Sequence, residues 1–456
     1  MKMWLPPVNG CAGGFVNPTT KTMRIRSLFG VLVVTLLLAA ASWATQNATA
    51  ATAAKIFDVR TAGAKGDGKT FDTAAIQKAL DDCAQAGGGI VKLSPGTYLS
   101  KPLTMGTKTT LLIDKGATLL ASTNQSDFLR VPGDWLQAKG NGDFVPFLGG
   151  KDLEDVTIAG SGTIEGSGAV WWEAAEEARR KVSGFTLPRP NLIVLTRVKN
   201  LVVRDVTIQN APKFHLVPTE CDDVLITNVT ILAPERAANT DAIDPSVSRR
   251  VTITKCLIDV GDDNVAVKSG KRLDGREFAV EDLTVTDCTF KHGHGMSIGS
   301  ETVGGVKNVL VRNCTFENTD NGIRIKSDRK RGGTVENVVF EDLTMKDVRG
   351  AITITSYYPR IPATDTAQPV TDTTPKYKNI TIRNLTATSS RGAGVIVGLP
   401  ESYIENMLLE NVSITAEQTG LEIRNAKGVR FKNVRVTAKR GEPFIVKDAE
   451  VTGLEK

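Results

Sequence analysis

The sequence predicts an all-β fold, a single-domain parallel β-helix (solenoid) with an N-terminal capping α-helix. Three observations carry this expectation: an internal repeat, three short alternating strands within each repeat, and one amphipathic helix ahead of them. The repeat is visible in Asp205-Val206-Thr207-Ile208, Asn228-Val229-Thr230-Ile231, Lys255-Cys256-Leu257-Ile258, Asp287-Cys288-Thr289-Phe290, Asn313-Cys314-Thr315-Phe316 and Asp342-Leu343-Thr344-Met345. It returns at Asn384-Leu385, Asn411-Val412 and Asn433-Val434, with spacings of 22 to 32 residues and one gap of 42. A second strand precedes each motif, as in Asn308-Val309-Leu310-Val311. A third follows, as in Val265-Ala266-Val267, Met296-Ser297-Ile298 and Ile323-Arg324-Ile325. Short strands of period two, separated by Asn, Asp and Gly turns, fit a coil that buries its inner face only by stacking on its neighbours. A sandwich of hairpins has no reason to repeat at this length.

From the N-terminus, residues 1–50 read as a leader and residues 51–456 as the β-helix domain. Met23-Arg24-Ile25-Arg26, an apolar run over 28–41 and Ser42-Trp43-Ala44 have the order of a secretory signal, which predicts a secreted or periplasmic protein with no membrane attachment after cleavage. Next, Gly63-Ala64-Lys65-Gly66-Asp67-Gly68-Lys69-Thr70 matches the phosphate-loop pattern. Asp67 would sit among the phosphates, and no alternating strand–helix pattern follows, so the stretch reads as a turn. Residues 73–86 form the amphipathic helix, with Ala75, Ile76, Ala79, Leu80 and Cys83 on one side. It caps the open end of the solenoid, which otherwise exposes core and strand edge. Five cysteines follow the leader, an odd and sparse set that is not a disulfide framework. Cys256, Cys288 and Cys314 share one repeat position and read as stacked small apolar groups.

Charge narrows the function. The net charge of +6 includes Lys2, Lys21, Arg24 and Arg26 in the acid-free leader, which leaves +2 for the rest. That balance argues against nucleic acid as a partner. With only three histidines, a multi-histidine metal centre is also excluded.

Aligning the third strands places Asp241, Asp263 and His294 at one position of three successive coils, with Asp262 beside Asp263. Rungs lie about 4.8 Å apart, so these side chains form a ladder on one face. One rung on, Arg324 and Lys326 alternate with Ile323 and Ile325, so both cations point outward and their charge is dispensable for folding. Such a ladder has no packing purpose. A solvated Asp turn would explain a single carboxylate, and a calcium site from Asp241, Asp262 and Asp263 is the other reading. Carboxylates divided by protonation state suit glycosidic bond hydrolysis, one giving a proton to the leaving oxygen and another activating water. Crowding of like charge raises one pKa and keeps the acid protonated. Arg and Lys nearby suit a sugar bearing a carboxylate.

Asn239-Thr240-Asp241, Gly261-Asp262-Asp263, Gly293-His294-Gly295 and Arg324-Ile325-Lys326 resemble, in order and spacing, the four signature motifs of the polygalacturonases, the pectin-degrading glycoside hydrolase family 28. The stretch 57–103 is also similar to the opening of these pectin enzymes. The resemblance implies a right-handed coil and inverting hydrolysis of α-1,4 bonds between galacturonic acid units. It implies Asp262 as general acid, Asp241 and Asp263 on the water, and His294 holding the acid's ionisation and geometry. Arg324, Lys326 and Tyr358 would bind the acidic polysaccharide, with Tyr357 as the alternative tyrosine and Asp244 as a supporting carboxylate. No cofactor and no metal are implied, and a monomer is expected. Rival readings are a pectate lyase-type β-elimination and a non-catalytic polysaccharide-binding β-helix. Inserts at 127–146, 166–190 and 357–378 are placed to border a cleft, and they leave endo or exo action open.

Overall fold

The computed structural model describes residues 54–181 and 187–454, so the leader lies outside the described residues. The three-strand coil is present, and every wall of it is parallel. One wall stacks Val224, Val251, Leu283, Val309, Val338, Ile380 and Met407 in register. A second stacks Ile164, Ile208, Ile231, Ile258, Phe290, Phe316 and Met345. The third stacks Leu216, Ile243, Val265, Met296, Ile323 and Ile352. All of these side chains are buried, so one column of aliphatic and aromatic groups runs the length of the coil. Each residue supplies core to the rungs on both sides, which is how short strands reach a large shared interior.

The Asn and Asp of the repeat have a geometric reason. Asp205, Asn228, Asp287, Asn313, Asp342, Asn384, Asn411 and Asn433 all have φ between 52° and 64°. This left-handed region is open to Asn and Asp at low cost, because their short polar side chains bond locally. The side chains also bond from rung to rung: Asn384 Nδ2 donates to Asp342 at 2.8 Å, and Asn411 Nδ2 to Asn384 at 3.1 Å. Just inside this corner, Cys256, Cys288 and Cys314 are buried and free, as are Cys83 and Cys221.

Helix α1, Thr73–Gln85, buries Ile76, Ala79, Leu80 and Cys83 against the first coil. The phosphate-loop lookalike before it is closed by its own carboxylates. Asp72 accepts from the backbone N–H of Lys65 and Gly66, and Asp67 from those of Lys69 and Thr70. The donors that would cradle a phosphate are therefore occupied.

Helix α1 is not the only helix before the repeats. Helix α2, Ala169–Lys181, lies in the 166–190 insert and buries only Trp171 and Ala175. An apolar stripe of two residues gives almost no periodic signal. The helix is fixed instead by Trp171, which packs edge-on against Phe128, Trp135 and Phe144 of the 127–146 insert. The two inserts thus support each other.

Candidate active site

The third wall sets the site. Ile243, Val265 and Met296 are stacked partners, so Asp241, Asp263 and His294, each two residues earlier, occupy adjacent rungs as expected. Tight turns before these strands require glycine. A Cβ on Gly295 (φ 75°) would lie 2.0 Å from the Asn321 carbonyl oxygen, and one on Gly261 would lie 2.4 Å from that of Ala237. Thr240 Oγ1 donates to the Ala237 carbonyl at 2.6 Å and accepts from the Gly261 amide at 3.0 Å. It ties the Asp241 turn to the Asp262 turn.

The side chains form one connected network with an open face and a closed one. Asp262 and His294 are partly exposed, whereas Asp241 and Asp263 are buried. His294 Nδ1 lies 3.0 Å from Asp262 Oδ1, and its Nε2 lies 3.3 Å from Asp320 Oδ2. Asp263 accepts from Ser297 Oγ at 2.8 Å, from Arg324 at 3.0 Å and from Lys326 Nζ at 2.8 Å. Beneath them, Lys268 Nζ sits 3.3 Å from both Asp241 Oδ2 and Asp244 Oδ2.

Burial and charge then divide the carboxylates. Burial pushes Asp241 well above the usual carboxylate range, Asp244 adds repulsion, and Lys268 only partly offsets both. Asp244, also raised by burial against the pull of Lys268, is pushed up to about 7. Burial presses upward on Asp263 as well, but Lys326 and Arg324 outweigh it and hold this group at about 2. At Asp262, burial is outweighed by the His294 hydrogen bond and by His294 and Lys326 charge, so its carboxyl lies below the usual range. His294 loses some basicity to burial and regains more from its bonds to Asp262 and Asp320, which carry it up to about 9.

Two expectations need correction. Carboxylates are raised, but by burial first and by crowding second, and they are Asp241 and Asp244, not Asp262, because His294 supplies Asp262 with a proton donor and a positive charge. Arg324 and Lys326 do point away from the core, yet they are not solvated: Lys326 is 5% exposed. Asp263 claims both of them, so their charge balances a buried anion and is not dispensable. They remain close to Tyr358, whose ring centre lies 5.7 Å from the Arg324 guanidinium and 5.2 Å from Lys326 Nζ. Tyr357 is turned away, buried against Val397 and Leu399 with its hydroxyl on Asp365.

Lys268, Ser297 and Asp320 escaped the sequence reading. Lys268 was within its reach, because the alignment that stacks the acids also puts Lys268 at the level of Gly299 and Lys326. Asp262, Asp263 and His294 form the one cluster among the described residues with metal-ligand spacing. Its donors are already committed: both Asp263 oxygens accept from cations, and the imidazole faces two carboxylates. That arrangement suits a protonated histidine better than calcium, which needs six to eight free oxygens.

Comparison with known proteins agrees over most of the chain. The family model of the glycosyl hydrolases family 28 matches residues 95–438. An endo-polygalacturonase of Pectobacterium carotovorum subsp. carotovorum is 35% identical over 367 residues, 78% of this chain and 87% of the relative. The solved polygalacturonase from Erwinia carotovora ssp. carotovora aligns with a TM-score of 0.69 at 30% identity, covering 88% of this chain and 98% of that one. An exopolygalacturonase from Thermotoga maritima aligns with a TM-score of 0.68 at 26% identity, covering 84% and 92%. This chain shares the right-handed parallel β-helix of these structures. With the fold, the ordered motifs and the matched family in agreement, the chain belongs to the glycosyl hydrolases family 28 and is a glycoside hydrolase, not a lyase or a passive binding module.

Proposed function

We propose that this enzyme hydrolyses the α-1,4 bonds of polygalacturonate with Asp262 as the proton donor. The observation that carries the reading is the half-open pair of Asp262 and His294, set between buried Asp241 and the Arg324, Lys326 and Tyr358 cluster. Of Asp241, Asp262 and Asp263, Asp262 is the one that meets solvent, so it is the one of the three that a leaving glycosidic oxygen can reach. A uronate docking against Arg324 and Lys326 brings negative charge and excludes water, and both effects push Asp262 upward toward the protonated form. Substrate binding thus loads the acid that the empty site keeps ionised.

Water attacks the anomeric carbon as Asp262 gives its proton to the departing oxygen, and the water's proton passes to Asp241. Asp241 takes that proton while the Lys268 charge, 3.3 Å away, favours its ionised form against burial; Asp263, held at about 2, stays ionised and orients the water. Attack from the face opposite the leaving group inverts the anomeric centre. Export through the leader and action as a monomer on pectin belong to the same reading. Among the described residues, no helix is long and apolar enough to cross a membrane.

Purified enzyme incubated with polygalacturonate in EDTA should generate reducing ends and no ultraviolet absorbance from unsaturated sugar. Absorbance that appears on adding calcium would overturn the reading. Proton NMR of the first product should show the β-anomer, and an aryl galacturonide with a good leaving group should restore turnover to Asp262→Asn but not to Asp241→Asn. Viscosity followed alongside separates internal from terminal cleavage.

A further inference from the structure

Beside the acidic network, toward the N-terminal end of the coil, lies a cavity of ≈ 460 Å³ that the reaction above does not use. Helix α2 contributes Trp172, Arg179 and Arg180 to its wall, residue Arg189 follows, and Arg236 comes from the loop leading to Asn239. Four arginines face a single carboxylate, Glu176, and that one is already on Arg180. Among the described residues, neither Arg179 nor Arg236 has an ion-pair partner.

Arg189 is the most informative of them. It is 1% exposed, and its guanidinium donates to the carbonyls of Pro212 and Ala238 and to Asn239 Oδ1. Among the described residues, its Nε has no partner and no carboxylate pairs with it. Burial and the neighbouring Arg179 charge pull it down to about 10, against the opposing pull of Asp262 and Asp241. A buried cation held by neutral acceptors is costly, and an anion arriving nearby relieves that cost. Asn239 links this residue to the chemistry, since its Nδ2 lies 3.4 Å from Asp262 Oδ2. Trp172 Nε1 donates to the Ala211 carbonyl at 3.1 Å, which fixes the indole at the cavity wall, where an aromatic ring suits the apolar C–H side of a sugar.

We propose that this cavity is a second uronate subsite, which takes the carboxylate of a sugar unit away from the scissile bond. It lies across the acids from Arg324 and Lys326, so a linear polyanion would be held by cations at both ends of the catalytic rungs. The site deepens the functional reading above and rests on it. Helix α2 and Arg236 stand outside the four motifs, so this subsite adds cations that the motifs do not supply.

The test is titration calorimetry in the Asp262→Asn background, with linear galacturonate oligomers and their methyl esters as probes. Arg179 and Arg236 are exposed, so R179Q/R236Q should keep the parent's circular dichroism and melting temperature. Its affinity for the longer acidic oligomers should fall about tenfold or more, the effect of losing a charge-assisted bond. Methyl esters should bind both proteins equally, and Arg236→Lys in place of Arg236→Gln should recover part of the loss. Unchanged affinity for acidic oligomers, or an equal loss on acids and esters, would overturn the subsite while leaving the functional reading intact. A parent that binds no galacturonate oligomer at all would overturn that reading, and the subsite with it.

Discussion

Lys326 shows how one contact changes what a residue is for. On sequence alone it is a surface cation on the outward side of a strand. In the folded chain its Nζ is 2.8 Å from the buried Asp263, so removing it strands a negative charge. Breaking a buried pair from one side costs about 3–5 kcal/mol. Arg324 and Ser297 stay on Asp263, which places Lys326→Ala near the low end, a loss of about 3 kcal/mol in urea unfolding. Asp263→Asn added to Lys326→Met should recover part of that loss, and a variant as stable as the parent would show that the pair is not what holds Asp263. Titration gives a second prediction. Raised groups stabilise the fold on the acid side: the His294 contribution is complete below its ordinary 6.5 and is lost as pH rises through about 9. That of Asp244 is complete below 3.8 and fades through about 7. Asp263 runs the other way, complete above 3.8 and lost toward about 2. Melting temperature should therefore peak near pH 4 and decline toward pH 9. His294→Gln should flatten the part of the decline above pH 6.5, and an unaltered slope there would remove His294 from the account.

At the scale of elements, the corner between strands matters as much as the strands. Asn384 has φ 54° and joins a side-chain ladder from Asp342 to Asn411. Asn384→Ala forces an ordinary residue into the left-handed region, at about 1–2 kcal/mol, and also removes ladder bonds worth about 1 kcal/mol each. Asn384→Gly loses the same bonds without the backbone penalty. Thermal unfolding should rank wild type above Gly and Gly above Ala, with about 1 kcal/mol between the two variants. Equal losses would mean that the ladder, not the backbone, makes Asn necessary at the corner.

Across the whole molecule, the proposed catalysis draws on charges concentrated on one wall of a coil whose overall balance is small. A weakly charged body steers a polyanion poorly at long range, so attraction comes from the local cations about the third wall. The ratio kcat/KM on polygalacturonate should fall as ionic strength rises past the point where the Debye length is about 10 Å, while kcat changes little. A salt-independent kcat/KM would argue against cationic recognition of the substrate. At the C-terminal end, the last strand, Phe444–Thr452, is largely exposed and carries Lys447, Asp448 and Glu450. Charged residues on a terminal edge hinder pairing with another chain, a role that helix α1 fills at the other end.

The sequence by itself determined the coil, because repetition is a local property. The Asn, the inward aliphatics and the spacing are visible one rung at a time, and parallel stacking follows from them. It also determined which rungs carry the acids, since residues two before Ile243, Val265 and Met296 share a register. Only the tertiary structure decided what each charged group touches. The register shows the rungs on which Lys268 and Lys326 lie, but ion pairing depends on side-chain reach across rungs, so which carboxylates they meet has no periodic trace. Nor does helix α2, which docks through Trp171, Ala175 and the Trp172 hydrogen bond and brings arginines from an insert to the edge of the site. These contacts join residues far apart in the chain through burial and charge, and only the folded chain fixes how deeply each charge is buried.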